Sequence, residues 1–201
     1  MLRKGIKPKD MKYKEHLDKV FSLIDDLLKH PGTKIIAIDG NAAAGKSVLA
    51  SRIAEKYDCN IFHMDDFFLP PETKTEARLI QTGGNVDWER FREEVLENIR
   101  RGNKFCYRKY DCKIQSFHPP AEVNPKKLNL VEGVYSLHPE LIDYYDLKLF
   151  LWVDEEEQSR RILARNGAEL HKRYMEEWIP MENRYFAEFN IEENCDFSFP
   201  G

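Results

Sequence analysis

Cysteine is scarce: four stand in 201 residues, at positions 59, 106, 112 and 195, with no C-x-x-C pair among them. A disulfide framework is therefore not expected. Cys106, Cys112 and His118 match no zinc-ligand spacing, so the cysteines read as ordinary reduced thiols. Glycine and proline are sparse too, ten of each, which excludes collagen-like and low-complexity architectures. Apolar runs such as Ile35–Ile38 and Leu149–Val153 stop at four or five residues, far short of the roughly 18 that a membrane-spanning helix needs. The N-terminus is basic but lacks the apolar stretch of a signal peptide, so a soluble, cytoplasmic protein is expected. Excess positive charge is also missing. Lys and Arg number 31 against 35 Asp and Glu, a net charge of −4, which argues against a nucleic-acid or anionic-membrane partner.

What is present builds a core. Hydrophobic residues make up 42% and aromatics 12% of the chain, a composition that excludes disorder and fits one domain or two small ones. Charge is uneven: residues 1–131 hold 24 basic and 19 acidic side chains, and residues 132–201 hold 7 and 16. The first two thirds can thus gather cations for an anionic ligand, although an uneven solvated surface is the plainer account.

Residues 1–10 read as a loose polar arm broken by Pro8. From Lys12 to His30 the spacing of Leu17, Val20, Phe21, Ile24, Leu27 and Leu28 predicts an amphipathic helix, stopped by Pro31-Gly32. These residues, 1–33, are set apart as an arm and helix ahead of a main domain over 34–201. The main domain alternates. Strands are expected at 34–39, 60–63, 128–132, 148–153 and 195–199. Helices are expected at 46–57, 87–101, 155–165 and 170–189, the last broken or kinked at Pro180. A short helix is expected between Pro70 and Gly84, and loops with a hairpin over 103–127. Such alternation predicts an α/β fold with a parallel sheet of about five strands covered on both faces.

Gly40-Asn41-Ala42-Ala43-Ala44-Gly45-Lys46-Ser47 matches the phosphate-loop pattern G-x-x-x-x-G-K-S/T in full, between a buried strand and an amphipathic helix that Val48 continues. Glycines let successive N–H groups turn toward phosphate oxygens, and the helix start adds its positive dipole end. The lysine reaches the outer phosphates and the serine hydroxyl holds Mg²⁺. ATP and Mg²⁺ are the cofactors expected. A GTPase would need N-K-x-D, and Asn103-Lys-Phe-Cys106 lacks the aspartate. A motor ATPase would need an acidic pair where Glu132 stands alone before Gly133. A kinase acting on a small hydroxyl compound is the remaining class.

His63-Met-Asp65-Asp66-Phe67-Phe68 follows the second strand, at the end where ligands bind in open α/β sheets. A carboxylate there orients and deprotonates an acceptor hydroxyl or holds Mg²⁺. The phenylalanines pack in the core or stack a flat base.

The phosphate loop, M-D-D-F-F, N-V-D-W-E-R-F from Asn85, Y-x-x-Y-D from Tyr107 and L-V-E-G from Leu130 occur in an order that resembles the uridine kinase-like nucleoside kinases. That branch also holds phosphoribulokinase and nicotinamide riboside kinase. The resemblance spans about residues 34–199. It implies the three-layer α/β/α fold of the P-loop NTPases with a lid, and transfer of the ATP γ-phosphoryl to a ribose 5′-hydroxyl. It casts Asp65 as the base, Asp87 as a ribose ligand (a helix cap otherwise), and Phe67, Tyr107, Arg108, Tyr110 and Asp111 as nucleoside contacts. Ser47, Asp65 and Glu132 become the Mg²⁺ group, and Arg161 and Arg165, with Arg160, the lid cations. The family lid carries more arginine and an aspartate, where this chain has Arg165-Asn166-Gly167. The acceptor can instead be nicotinamide riboside, a phosphosugar or another small alcohol. A nucleotide-binding regulator without an acceptor is the rival from another class. The oligomeric state is open, a homo-oligomer included.

Overall fold

The computed structural model describes residues 8–201. The expected N-terminal arm lies outside the described residues up to residue 7. From Pro8 onward the chain is already helical, in α1 (Pro8–Leu28), because proline is tolerated in a first helical turn.

Five strands form one parallel sheet: β1 (Lys34–Gly40), β2 (Cys59–His63), β7 (Leu128–Glu132), β8 (Leu147–Trp152) and β9 (Phe197–Pro200), in the order β2-β7-β1-β8-β9. Alternation along β1 fixes the layers. Ile36 and Ile38 pack with Val20 and Ile24 of α1 and with Leu49 and Ile53 of α2 (Lys46–Lys56). Ile35 and Ala37 face the opposite core with Phe91, Val95, Leu96 and Ile99. The result is a three-layer α/β/α fold, a parallel sheet with a core on each face. The parallel register aligns Ile38 with Glu132 and His63 with Glu132, so the carboxyl ends of β1, β2 and β7 open at one edge of the sheet.

The second helical layer is less regular than the periodicity predicts. After the short α3 (Glu76–Ile80), α4 (Trp88–Phe91) passes through a π turn at Arg92–Leu96 into α5 (Glu97–Arg101). Gly102, at φ 70, ends it. Two small antiparallel ribbons follow. One pairs β3 (Phe105–Tyr107) with β6 (Ala121–Val123), the other β4 (Tyr110–Asp111) with β5 (Ser116–Phe117). The gap expected between residues 165 and 170 is present, and Pro180 follows a π turn rather than a break. Helix α6 (Glu155–Arg173) is interrupted at Gly167, whose φ of 78 and ψ of 172 suit glycine alone. A π turn at Tyr174–Trp178 then leads into α7 (Ile179–Glu188), with Pro180 in its first turn. A proline crowds the turn before it, and the wider π turn makes that room.

Candidate active site

The phosphate loop is shaped by two glycines for different reasons. At Gly40, φ is 138 and an added Cβ would lie 1.8 Å from the Leu151 carbonyl oxygen, so neighbouring β8 leaves no space. At Gly45, φ is 100 with open space around it; the requirement there is conformational. Asn41 ties the loop to the end of β8, donating to Val153 O at 2.9 Å and accepting from Val153 N at 3.1 Å. Lys46 is buried and donates to Gly40 O at 2.7 Å and Asn41 O at 3.0 Å. No side chain caps α2, which leaves its first-turn N–H groups for an anion. That uncapped helix start, with Lys46 folded over the loop, fits a nucleotide phosphate.

Ser47 Oγ donates to Glu132 Oε1 at 3.1 Å, and His63 Nδ1 meets the same oxygen. The Glu132 bond raises the His63 pKa against the opposing effect of burial. A buried carboxylate beside a serine hydroxyl suits Mg²⁺, which uses one or two protein ligands and keeps phosphate and water for the rest. Among the described residues, no three His, Cys, Asp or Glu side chains form a ready metal cage.

A cavity of about 820 Å³ joins Ala42, Gly45, Lys46, Ser47 and Val48 of the loop region to Asp65 and Glu132. Asp65 is open to this cavity but ringed by protein. Burial pushes its pKa up, and Lys46 offsets part of that rise. Asp66 is outside the cavity wall and pairs with Lys109 Nζ at 3.0 Å.

The acceptor side departs from expectation. Phe67 does not reach the cavity: it is fully buried, edge-on to Phe91 at 4.9 Å and stacked on Tyr107 at 5.7 Å. The core takes it because its face of the chain turns toward α4. Tyr107 and Tyr110 are buried as well, the latter against Phe117. Arg108 is exposed over the Phe117 ring, and Asp111 accepts from Lys113 N at 2.7 Å. Asp87 is the α4 cap, accepting from Arg90 N at 3.1 Å. None of these lines the cavity. Phe68, the other ring of the aromatic pair, and Asn85, which opens the N-V-D-W motif, do line it, as do Lys74, Cys112 and Tyr135, which no motif marks.

On the side of α6, Arg160 is exposed and bound to Glu157 at 2.7 and 2.8 Å. Arg161 also bonds Glu157, and its guanidinium donates to Ala43 O at 3.0 Å and Gly201 O at 3.1 Å. Arg161 and Arg165 line the cavity, joined by Arg173. Two carboxyl groups escaped the sequence reading. Asp39 is fully buried, accepting from Gly40 N at 2.7 Å, Leu137 N at 2.9 Å and Tyr185 OH at 2.9 Å, and burial pushes its pKa up to about 6. Glu182 of α7 accepts from Ala42 N at 2.9 Å inside the cavity, and burial pushes it up to about 7. The one available signal was an acidic residue ending a β-branched strand, as Asp39 does.

No protein-family model matches the chain. Curated relatives include the "Probable uridine-cytidine kinase" of Caenorhabditis elegans, 24% identical over 155 residues, covering 69% of this chain and 62% of that protein. Another is the tRNA-specific adenosine deaminase subunit tad2 of Schizosaccharomyces pombe, 29% identical over 144 residues, covering 67% of this chain and 34% of that one. The chain thus spans less than two thirds of the length of either relative. Among solved structures, a "Possible Uridine Kinase from Bacillus stearothermophilus" superposes with a TM-score of 0.70 at 18% identity, covering 92% of this chain and 99% of that one.

The parallel sheet, the phosphate loop and this superposition define a three-layer α/β/α fold of the P-loop class, shared with that structure. Within that class the resemblance to the uridine kinase-like branch holds in both sequence and fold. No helix among the described residues is long and apolar enough to cross a membrane.

Proposed function

We propose that the protein is an ATP-dependent kinase that phosphorylates a hydroxyl of a small molecule, with a nucleoside ribose 5′-hydroxyl as the acceptor. The observation that carries this reading is the single cavity shared by the phosphate loop and Asp65. The likeness to a uridine-cytidine kinase supports the nucleoside. Nicotinamide riboside, a phosphosugar or another small alcohol are the alternative acceptors.

Bound Mg-ATP supplies the phosphoryl group. Lys46 and the first N–H groups of α2 bind the phosphates, and Lys46 exchanges its loop carbonyls for phosphate oxygens. Ser47 and Glu132 hold the metal ion, and His63 fixes the Glu132 carboxylate. Asp65, with a raised pKa that makes it a better base than a free carboxylate, orients the acceptor hydroxyl and takes its proton. Arg161, Arg165 and Arg173 supply cations around the transferring group.

The test is ADP release with Mg-ATP across uridine, cytidine, adenosine, nicotinamide riboside and a set of sugars and alcohols. Acceptor-dependent turnover that Asp65→Asn lowers at least about 100-fold, with nucleotide binding retained, is the expected result. Turnover unchanged in that variant would remove Asp65 from the chemistry. Hydrolysis indifferent to every acceptor would favour a regulatory ATPase.

A further inference from the structure

The peptide groups of Ala42 are held by side chains from outside the loop. Glu182 of α7 accepts from its N–H at 2.9 Å, and Gln158 of α6 donates to its carbonyl at 3.1 Å. Both are buried, at 6% and 3% exposure. The next residue, Ala43, sits at φ 62, a left-handed conformation that a non-glycine residue keeps only when its surroundings impose it. Gln158, Glu182 and Arg161 together impose the loop's shape.

A glutamine at 182 would accept the same hydrogen bond without a charge. A carboxylate in a cavity lined by phosphate-binding N–H groups and Lys46 is opposed to the ligand. Lys46 of α2 favours its ionised form, while Asp39 of β1 and Asp65 beyond β2 oppose it. The phenols of Tyr135 and Tyr174 feel the same carboxylate, and Arg161, Arg165 and Arg173 of α6 line the cavity.

We propose that Glu182 is a positioning residue that takes up a proton from solvent when a nucleotide phosphate enters the loop. The inference rests on the nucleotide-site reading above. An incoming phosphate pairs with Lys46, removing the cation that favours the ionised carboxylate, and adds a like charge in the same enclosed space. Both changes drive Glu182 neutral. The proton goes to one carboxyl oxygen, and the other still accepts from Ala42 N, so the loop keeps its shape while the repulsion is lost. The raised pKa of Glu182, about 7, places the event in the neutral range.

Calorimetry with a non-hydrolysable Mg-ATP analogue at pH 7.5, in two buffers of different ionisation heat, counts the protons. The wild-type protein is expected to take up roughly half a proton per nucleotide more than Glu182→Gln. Its affinity is expected to fall about tenfold between pH 6.5 and 8.5, while that of Glu182→Gln stays flat over the range. Binding with equal proton counts in the two proteins would overturn the inference alone. Failure of both to bind would overturn the nucleotide reading and this inference with it. Should Glu182→Gln not fold by circular dichroism, the wild-type profile decides: affinity that does not fall across the range would overturn the inference.

Discussion

The Tyr185 hydroxyl donates to Asp39 Oδ2 at 2.9 Å, joining α7 to the last side chain of β1 before the phosphate loop. Both residues are fully buried. A carboxylate so placed is tolerable only while its donors remain, since an unpaired buried charge costs more than the bond it has lost.

Tyr185→Phe removes one of the three donors and leaves the ring packing in place. It is expected to destabilise the protein by about 1–3 kcal/mol, lowering the melting temperature by roughly 2–10 °C for a chain of this size. Thermal unfolding followed by circular dichroism measures it. An unchanged melting temperature would mean that the Gly40 and Leu137 amides suffice for Asp39.

The raised carboxyl groups set a pH dependence with a definite sign. Asp39 at about 6 and Glu182 at about 7 hold protons in the folded state that the unfolded chain has already lost at those pH values. Their contribution is fully present below the unfolded values of 3.8 and 4.5 and is lost as pH rises through 6 and 7. Stability from Glu182 should therefore fall by up to about 3 kcal/mol between pH 4.5 and 7.5. Urea titrations of wild type and Glu182→Gln across that range give the difference. A variant with the same pH slope as wild type would rule this account out.

Gly40 and Gly45 separate a steric requirement from a conformational one. Gly40→Ala would drive a Cβ to 1.8 Å from the Leu151 carbonyl at a φ of 138. The end of β1 must move away from β8, and the loop moves with it. Nucleotide affinity is expected to drop at least about 100-fold, with a stability loss of about 2–4 kcal/mol. Gly45→Ala meets no atom within 4 Å, so its cost is the left-handed backbone alone, about 1–2 kcal/mol. Equal losses in the two variants would contradict the steric distinction.

The metal side rests on the shared oxygen of Glu132. Glu132→Gln keeps the shape but removes the charge that Ser47 and His63 both address. The magnesium needed for half-maximal turnover is expected to rise about 10- to 100-fold. Activity assayed against magnesium concentration reads it directly, and an unchanged requirement would place the ion elsewhere.

The fold and the phosphate-loop wall of the cavity were legible because short-range pattern determines them. The run Lys34–Asp39, the glycines of the loop and the spacing of Trp88, Phe91, Val95 and Ile99 each report a local geometry. The facing wall was not legible. Tyr107 and Tyr110 have the composition of a base-binding loop, but whether such rings face a ligand or the core depends on how two short ribbons pack against α4. No periodicity spans ribbons of two or three residues. Glu182 lies 140 positions from its partner Ala42, and Pro180, read as a break or kink, instead opens α7. Contacts of that separation are fixed by the order of the strands and leave no mark on neighbouring residues.

The same contrast supplies a comparison of substitutions on the acceptor side. Tyr110 is buried on Phe117 away from the cavity, whereas the Asn85 side chain lines it and its Oδ1 is buried without a hydrogen-bond partner. The Asn85 amide also hydrogen-bonds the Tyr135 phenol of the same wall, so its loss disturbs two groups that an incoming ligand would meet. Asn85→Ala is therefore expected to raise the acceptor KM about tenfold, with the KM for ATP unchanged to within about a factor of two. Tyr110→Phe should leave both constants within about twofold of wild type, since an edge contact between rings survives loss of the hydroxyl. If Tyr110→Phe raised the acceptor KM and Asn85→Ala did not, the acceptor would bind against the ribbons, and the cavity would hold the nucleotide alone.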